Sequence, residues 1–327
     1  VHFAMGTPVA ITARGDDAAR TRAAMRAAFR EIRRLETLLT AWDPDSDTSR
    51  LNRDAGGAPR AVAPELADAL RAATRLSHET GGAFSVLVGP VVDAWRAAEP
   101  DAPDAAQLAR ATALARPEDL VLDAHGVALR RAGMRIDLDG IAKGIAADRA
   151  LALLRARGGR AAIVNLGGSS MAAFGDAGDG AGGWPVDLPR PGTISAASPS
   201  GEPPVVRLVD EALSVSASGT SDDEAPARHR TIVDPRTGRR IAHDATAIAL
   251  HRSATDAEAW SKALLVRGRL DAPLLARSRA HAILIDGGAG SALCTARFRN
   301  PSGVCKVLRP AAAATDGPRH GQERLCG

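Results

Sequence analysis

The stretch Arg135-Ile136-Asp137-Leu138-Asp139-Gly140-Ile141-Ala142-Lys143-Gly144 reads as an apolar strand that carries an acid, turns at a glycine and enters a helix. A lysine falls on the first turn of that helix. Such a helix start offers backbone N–H groups and the positive end of the helix dipole to an anion. The lysine adds a compact charge at the same place. It is an unusual residue here, because the chain has three lysines (Lys143, Lys262, Lys306) and writes nearly every other positive charge as Arg. Lys and Arg are not interchangeable at a tight anionic site.

A chain of 327 residues holds one large domain or two of ordinary size. Aromatic residues make up 3% and Tyr is absent, so the core must be built from Ala, Leu, Val and Ile. The 42 basic and 38 acidic residues are interspersed, for a net charge of +4. With few aromatics to stack on bases, nucleic-acid binding is disfavoured. No apolar run reaches the roughly 18 residues that span a bilayer. The three cysteines (Cys294, Cys305, Cys326) form no CxxC pair, which disfavours a zinc site and reads as incidental thiols. No GxGxxG follows an early strand, which disfavours a dinucleotide-binding Rossmann enzyme.

Periodicity predicts mixed helices and strands. Residues 17–39 form an amphipathic helix with Met25, Phe29, Ile32, Leu35 and Leu39 on one face. Further helices are expected at 64–78, 103–114, 141–155 and 256–266. Strands are expected at 9–13, 120–122, 127–129, 161–166, 205–208, 212–216, 231–233, 246–250 and 282–286. Residues 176–183 read as a Gly- and Asp-rich loop. Residues 299–327 lose periodicity and are expected to be a disordered tail, leaving 1–298 as the folded domain.

Seven segments then occur in a telling order. They are Met5-Gly6-Thr7, Trp42-Asp43-Pro44 through Asn52, Gly82-Ala83-Phe84, Val88-Gly89-Pro90, the 135–144 stretch, Val164 through Gly168, and Asp234-Pro235-Arg236-Thr237-Gly238. Together they resemble the ApbE family, the FAD:protein FMN transferases, over residues 3–298. The resemblance implies an α+β, T-fold-like architecture of mixed sheets with packed helices and an FAD cleft between subdomains. It implies cleavage of the FAD diphosphate and transfer of FMN to a Thr or Ser of an acceptor protein, with Mg²⁺ on the diphosphate. It places flavin contacts on Met5, Trp42, Ala83, Phe84, Ser85, Asp137, Lys143 and the backbone of Val233. Taken alone, Trp42 and Phe84 read as core aromatics, Asp137 as a helix cap and Gly167-Gly168 as a strand-ending turn.

The departures from the pattern bear on mechanism. The family's metal helix carries Asp and, four residues later, Thr; here those positions are Glu258 and Lys262. Residues i and i+4 share a helix face, so both point into the site. Glu258 can ligate through oxygen, with Ser261 and the Gly140 carbonyl as further oxygens, whereas a protonated Lys262 repels a cation. Three readings stand: Lys262 replaces the metal electrostatically, the site has lost transferase chemistry, or the pair is a plain salt bridge. Thr231 stands where the pattern has His, and His229, two residues back, is the candidate general base beside Lys262. Ser85, Ser169 and Thr220 stand where the pattern has acids.

The leading expectation is an FAD:protein FMN transferase with an atypical metal site. The alternatives are a non-catalytic FAD-binding protein on the same fold and an FAD pyrophosphatase. Expected partners are FAD and an acceptor protein, with no nucleic acid and no transmembrane segment. The sequence as it stands reads as cytoplasmic; a missing N-terminal leader would make it periplasmic or membrane-anchored.

Overall fold

A computed structural model describes residues 1–188, 205–218, 232–287 and 292–298. Its centre is an eight-stranded sheet, antiparallel throughout, in the order β1-β2-β5-β6-β9-β10-β11-β12. The strands are β1 (His2–Ala4), β2 (Thr7–Arg14), β5 (Ala161–Leu166), β6 (Ser170–Phe174), β9 (Ala212–Ala217), β10 (Ala245–His251), β11 (His281–Asp286) and β12 (Ala292–Cys294). Two small hairpins flank it, β3 (Leu120–Asp123) with β4 (Gly126–Leu129), and β7 (Trp184–Asp187) with β8 (Val205–Leu208). The helices are α1 (Ala18–Leu39), α2 (Asp47–Arg53), α3 (Pro64–Glu79), α4 (Gly89–Ala98), α5 (Ala105–Ala113), α6 (Ala142–Ala156), α7 (Ala254–Arg267) and α8 (Ala272–Ser278). This is an α+β fold, as the resemblance to the family implies.

The two faces of the sheet bury different kinds of side chain. Strand alternation turns Ala245, Ala247 and Ala249 of β10 toward the helices, while Ile248 and Leu250 face the other way. The alanine face lets α7 lie close against β9 and β10, with α6 and α1 stacked outside it. The Ile and Leu face packs with Met171, Leu213, Ile283 and Ile285 under Trp184 and Leu208 of the β7–β8 hairpin. A core poor in aromatics is therefore filled by alternating small and large aliphatics on opposite faces.

A helix packed on both sides shows no single apolar stripe. On α7 even Asp256, Glu258 and Ser261 are buried. Its N-terminus is fastened to α6 by the Asp148 carboxylate, which accepts from the Ala254 and Thr255 N–H groups at 2.7 and 3.0 Å. The same carboxylate accepts from the Ser253 and Thr255 hydroxyls at 2.7 and 2.8 Å. Close approach of the two helices requires Gly144, where a Cβ would fall 2.5 Å from the Ala254 carbonyl oxygen.

Three sequence expectations change. Residues 135–139 form no strand, because Asn52 takes their edge instead: the Ile136 N–H donates to Asn52 Oδ1 at 2.7 Å and Asn52 Nδ2 donates to the Ile136 carbonyl at 2.9 Å. Of the strand expected at 231–233, Val233 makes an isolated bridge to Arg240, and Thr231 lies outside the described residues. Cys294 is disulfide-bonded rather than an incidental thiol. The tail from residue 299 lies outside the described residues.

Candidate active site

The Gly140 turn, the start of α6 and the Glu258–Lys262 face of α7 meet at a cavity of about 340 Å³. That volume lies within the range of small-molecule sites, about 300–1,000 Å³. Its apolar lining comes from Ala83, Phe84, Val88, Val92, Val233 and Val266. Its charged wall carries Asp137, Asp139, Lys143, Glu258, Lys262 and, at one side, Arg96. The fold thus brings Ala83, Phe84, Ser85, Asp137, Gly140, Lys143, Val233, Glu258 and Lys262 of the sequence expectation to one space.

Lys143 projects from the first turn of α6 and donates to Ser169 Oγ at 2.8 Å, just past the Gly167-Gly168 turn between β5 and β6. Both glycines have φ above 60°, and a Cβ on Gly167 would collide with Thr7. Residue 169 is a serine and not an acid, so this partner brings no negative charge to Lys143.

Glu258 and Lys262 face the cavity from α7. Glu258 is almost fully buried, and its Oε2 accepts from the Gly144 N–H at 2.9 Å. The helix start that was expected to cradle an external anion thus already receives the protein's own carboxylate at that N–H. Lys262 Nζ stands 4.0 Å from Glu258 Oε1, outside hydrogen-bond distance, and its side chain keeps 26% exposure, toward the cavity. Burial pushes the Lys262 ammonium down from its ordinary value; Glu258 opposes the shift and Lys143 adds to it. On the same wall, burial and the neighbouring Asp139 carboxylate push the Asp137 carboxyl up.

Three expected residues stand elsewhere. Met5 and Gly6 are the central residues of the β1–β2 hairpin turn, both with positive φ, and Met5 does not line the cavity. Trp42 stands exposed outside the cavity wall, with its indole N–H on Asp139 at 3.3 Å and the Arg96 guanidinium 4.9 Å from its ring centre. Ser261 lies beneath the wall, where its hydroxyl meets Ser214 and Ser216 at 3.1 and 2.8 Å and donates to the Glu258 carbonyl. His229 and Thr220 lie outside the described residues. Arg96 and Asp139 were not singled out from the sequence, since an Arg among so many carries no signal of its own.

The residues do not fit a resident divalent cation. One Glu258 oxygen is engaged by Gly144 and the other faces an ammonium, while Ser261 is committed to its own network. The Lys262 stem lies over Gly140, 3.5 Å from where a Cβ would stand. Among the described residues no group of three or more His, Cys, Asp or Glu side chains could hold a metal ion.

An antiparallel sheet backed by helices, with two lysines and a glycine turn on one cavity, defines the α+β architecture of this chain. The ApbE family model matches residues 5–285, and the chain belongs to that family. It is 29% identical over 273 residues to the FAD:protein FMN transferase of Klebsiella pneumoniae (strain 342), covering 81% of this chain and 80% of that protein. It is 33% identical over 272 residues to the FAD:protein FMN transferase of Treponema pallidum (strain Nichols), covering 77% and 73%. The fold superposes on the flavin transferase ApbE from Vibrio cholerae with a TM-score of 0.75 at 23% identity, covering 91% of this chain and 96% of that one. A likeness to the ApbE protein from Thermotoga maritima, TM-score 0.74 at 21% identity with the same coverage, supports the same fold. No helix among the described residues is long and apolar enough to cross a membrane.

Proposed function

We propose that this protein is an FAD:protein FMN transferase, moving FMN from FAD to a Thr or Ser hydroxyl of an acceptor protein. The observation that carries the reading is the convergence of Lys143 and Lys262, two of the chain's three lysines, on one cavity with an apolar wall. The family membership and the names of the two relatives support the same activity.

In this reading Phe84 and the valines receive the flavin ring, and the two ammonium groups receive the diphosphate. The acceptor oxygen attacks the FMN phosphorus. The bond from that phosphorus to the bridging oxygen breaks, and AMP leaves with that oxygen. His229 takes the hydroxyl proton, a role assigned from the sequence alone. Lys143 and Lys262 offset the charge that develops on the phosphoryl oxygens, so the protein contributes positioning and electrostatics. The residues present do not fit Mg²⁺, so the phosphate charge falls to the two lysines. Replacing His229 by Gln is expected to slow turnover about a hundredfold with FAD affinity unchanged; an unchanged rate removes His229 from the mechanism.

One observation favours a second reading, an FAD-binding protein without turnover: Lys262 stands beside Glu258, where the family pattern has Thr beside Asp. Following AMP release from FAD with and without an acceptor separates the readings. The transferase releases AMP when an acceptor hydroxyl is supplied. Binding without AMP supports the binder, and AMP with free FMN in the absence of acceptor supports a pyrophosphatase.

A further inference from the structure

We infer that this cavity binds the diphosphate of its nucleotide without a divalent cation, the Lys262 ammonium standing in the cation's place; this rests on the proposed FAD reading. A diphosphate bound by a protein needs positive charge near its oxygens, from a metal or from side chains. Two lysines supply it here. Lys143 is partnered by a neutral hydroxyl, so its charge is not cancelled locally. Lys262 forms a long ion pair with Glu258 at 4.0 Å, beyond hydrogen-bond distance. Glu258 in turn spends its other oxygen on the Gly144 N–H, so it acts as a fixed internal acceptor rather than an open ligand.

The Gly140 turn is covered by the Lys262 stem. The Lys262 stem lies across Gly140, with Cδ and Cε 3.5 and 3.7 Å from the position of a Cβ there. Phe84 Cε2 lies 3.2 Å from the same position. Gly140 therefore admits the lysine stem beside the aromatic ring, and a larger residue would displace it. A cation at Glu258 Oε1 would meet the ammonium head-on, and like charges at such a distance repel strongly in a desolvated wall. The backbone turn, the neighbouring ring and the buried carboxylate all accommodate the lysine.

The test titrates the wild-type protein with FAD, and separately with ADP as a diphosphate lacking flavin, in EDTA and in millimolar Mg²⁺. Affinities in the two buffers are expected to agree within about threefold, since no metal site is being filled. Lys262→Met should weaken both ligands about tenfold or more in either buffer. Lys262→Thr should weaken binding in EDTA and regain part of it with Mg²⁺. A wild-type protein whose FAD affinity rises tenfold or more with Mg²⁺ overturns the inference, and this comparison needs no variant to fold. FAD binding in EDTA without any acceptor adduct leaves the inference standing and removes the transferase. Binding of FAD in neither buffer removes the flavin reading and this inference with it.

Discussion

Lys143 holds the Ser169 hydroxyl at 2.8 Å and otherwise faces the cavity, and on the proposed function its removal should cost the fold little and the ligand much. Lys143→Met is expected to weaken FAD about tenfold or more with thermal stability nearly unchanged, measured by titration and melting. Gly144 behaves in the opposite way. A methyl there would press into the Ala254 carbonyl at 2.5 Å and the Thr255 nitrogen at 2.7 Å, both backbone atoms that cannot swing aside. Gly144→Ala should cost about 1–3 kcal/mol in denaturant unfolding, by forcing α6 and α7 apart. An unchanged midpoint would mean the helices have slack that the geometry does not show. The scarcity of lysine in this chain singled out Lys143, and the fold places it on the cavity wall. The burial of Glu258 against Gly144 was not, because nothing in residue spacing says that a carboxylate 114 positions away will cap α6.

The element that governs the site is α7, which carries Glu258 and Lys262 and is buried on nearly every side. Its N-terminus depends on Asp148, which accepts two backbone N–H groups and two hydroxyls at the positive end of the helix. Asp148→Ala is expected to cost about 2–3 kcal/mol in unfolding free energy and to weaken FAD through a loosened α7. Loss of stability with intact affinity would show that α7 is set by its packing alone. Strong signals made some elements legible: β5 spans the expected residues, and α1 starts one residue past its Asp17 cap. Weak signals hid others. Helix α2 is seven mostly polar residues, and α4 opens on Gly89-Pro90, which reads as a turn. Strand β6 is buried on both faces and so shows no alternation, and β7 contains Pro185. The 135–139 stretch has strand-like residues, yet Asn52, far away in sequence, takes its donor and acceptor.

At the scale of the molecule, sheet and helices converge on one cavity, and the ordered motifs predicted which segments would line it. They did so for Ala83 to Ser85, for the 137–143 stretch and for Val233. Met5 instead stands in a hairpin turn, and Ser261 lies one layer below the wall. Both segments have structural duties that a motif alone does not distinguish from ligand contact. The central claim is that this cavity moves FMN from FAD onto an acceptor hydroxyl. The direct measurement is intact mass of an acceptor protein after incubation with this protein and FAD, beside the same acceptor with its target Thr replaced by Ala. The account predicts one covalent FMN added to the Thr acceptor, an equal amount of AMP, and no addition to the Ala form. A folded protein that binds FAD yet leaves a competent acceptor at its starting mass, with or without Mg²⁺, would contradict it.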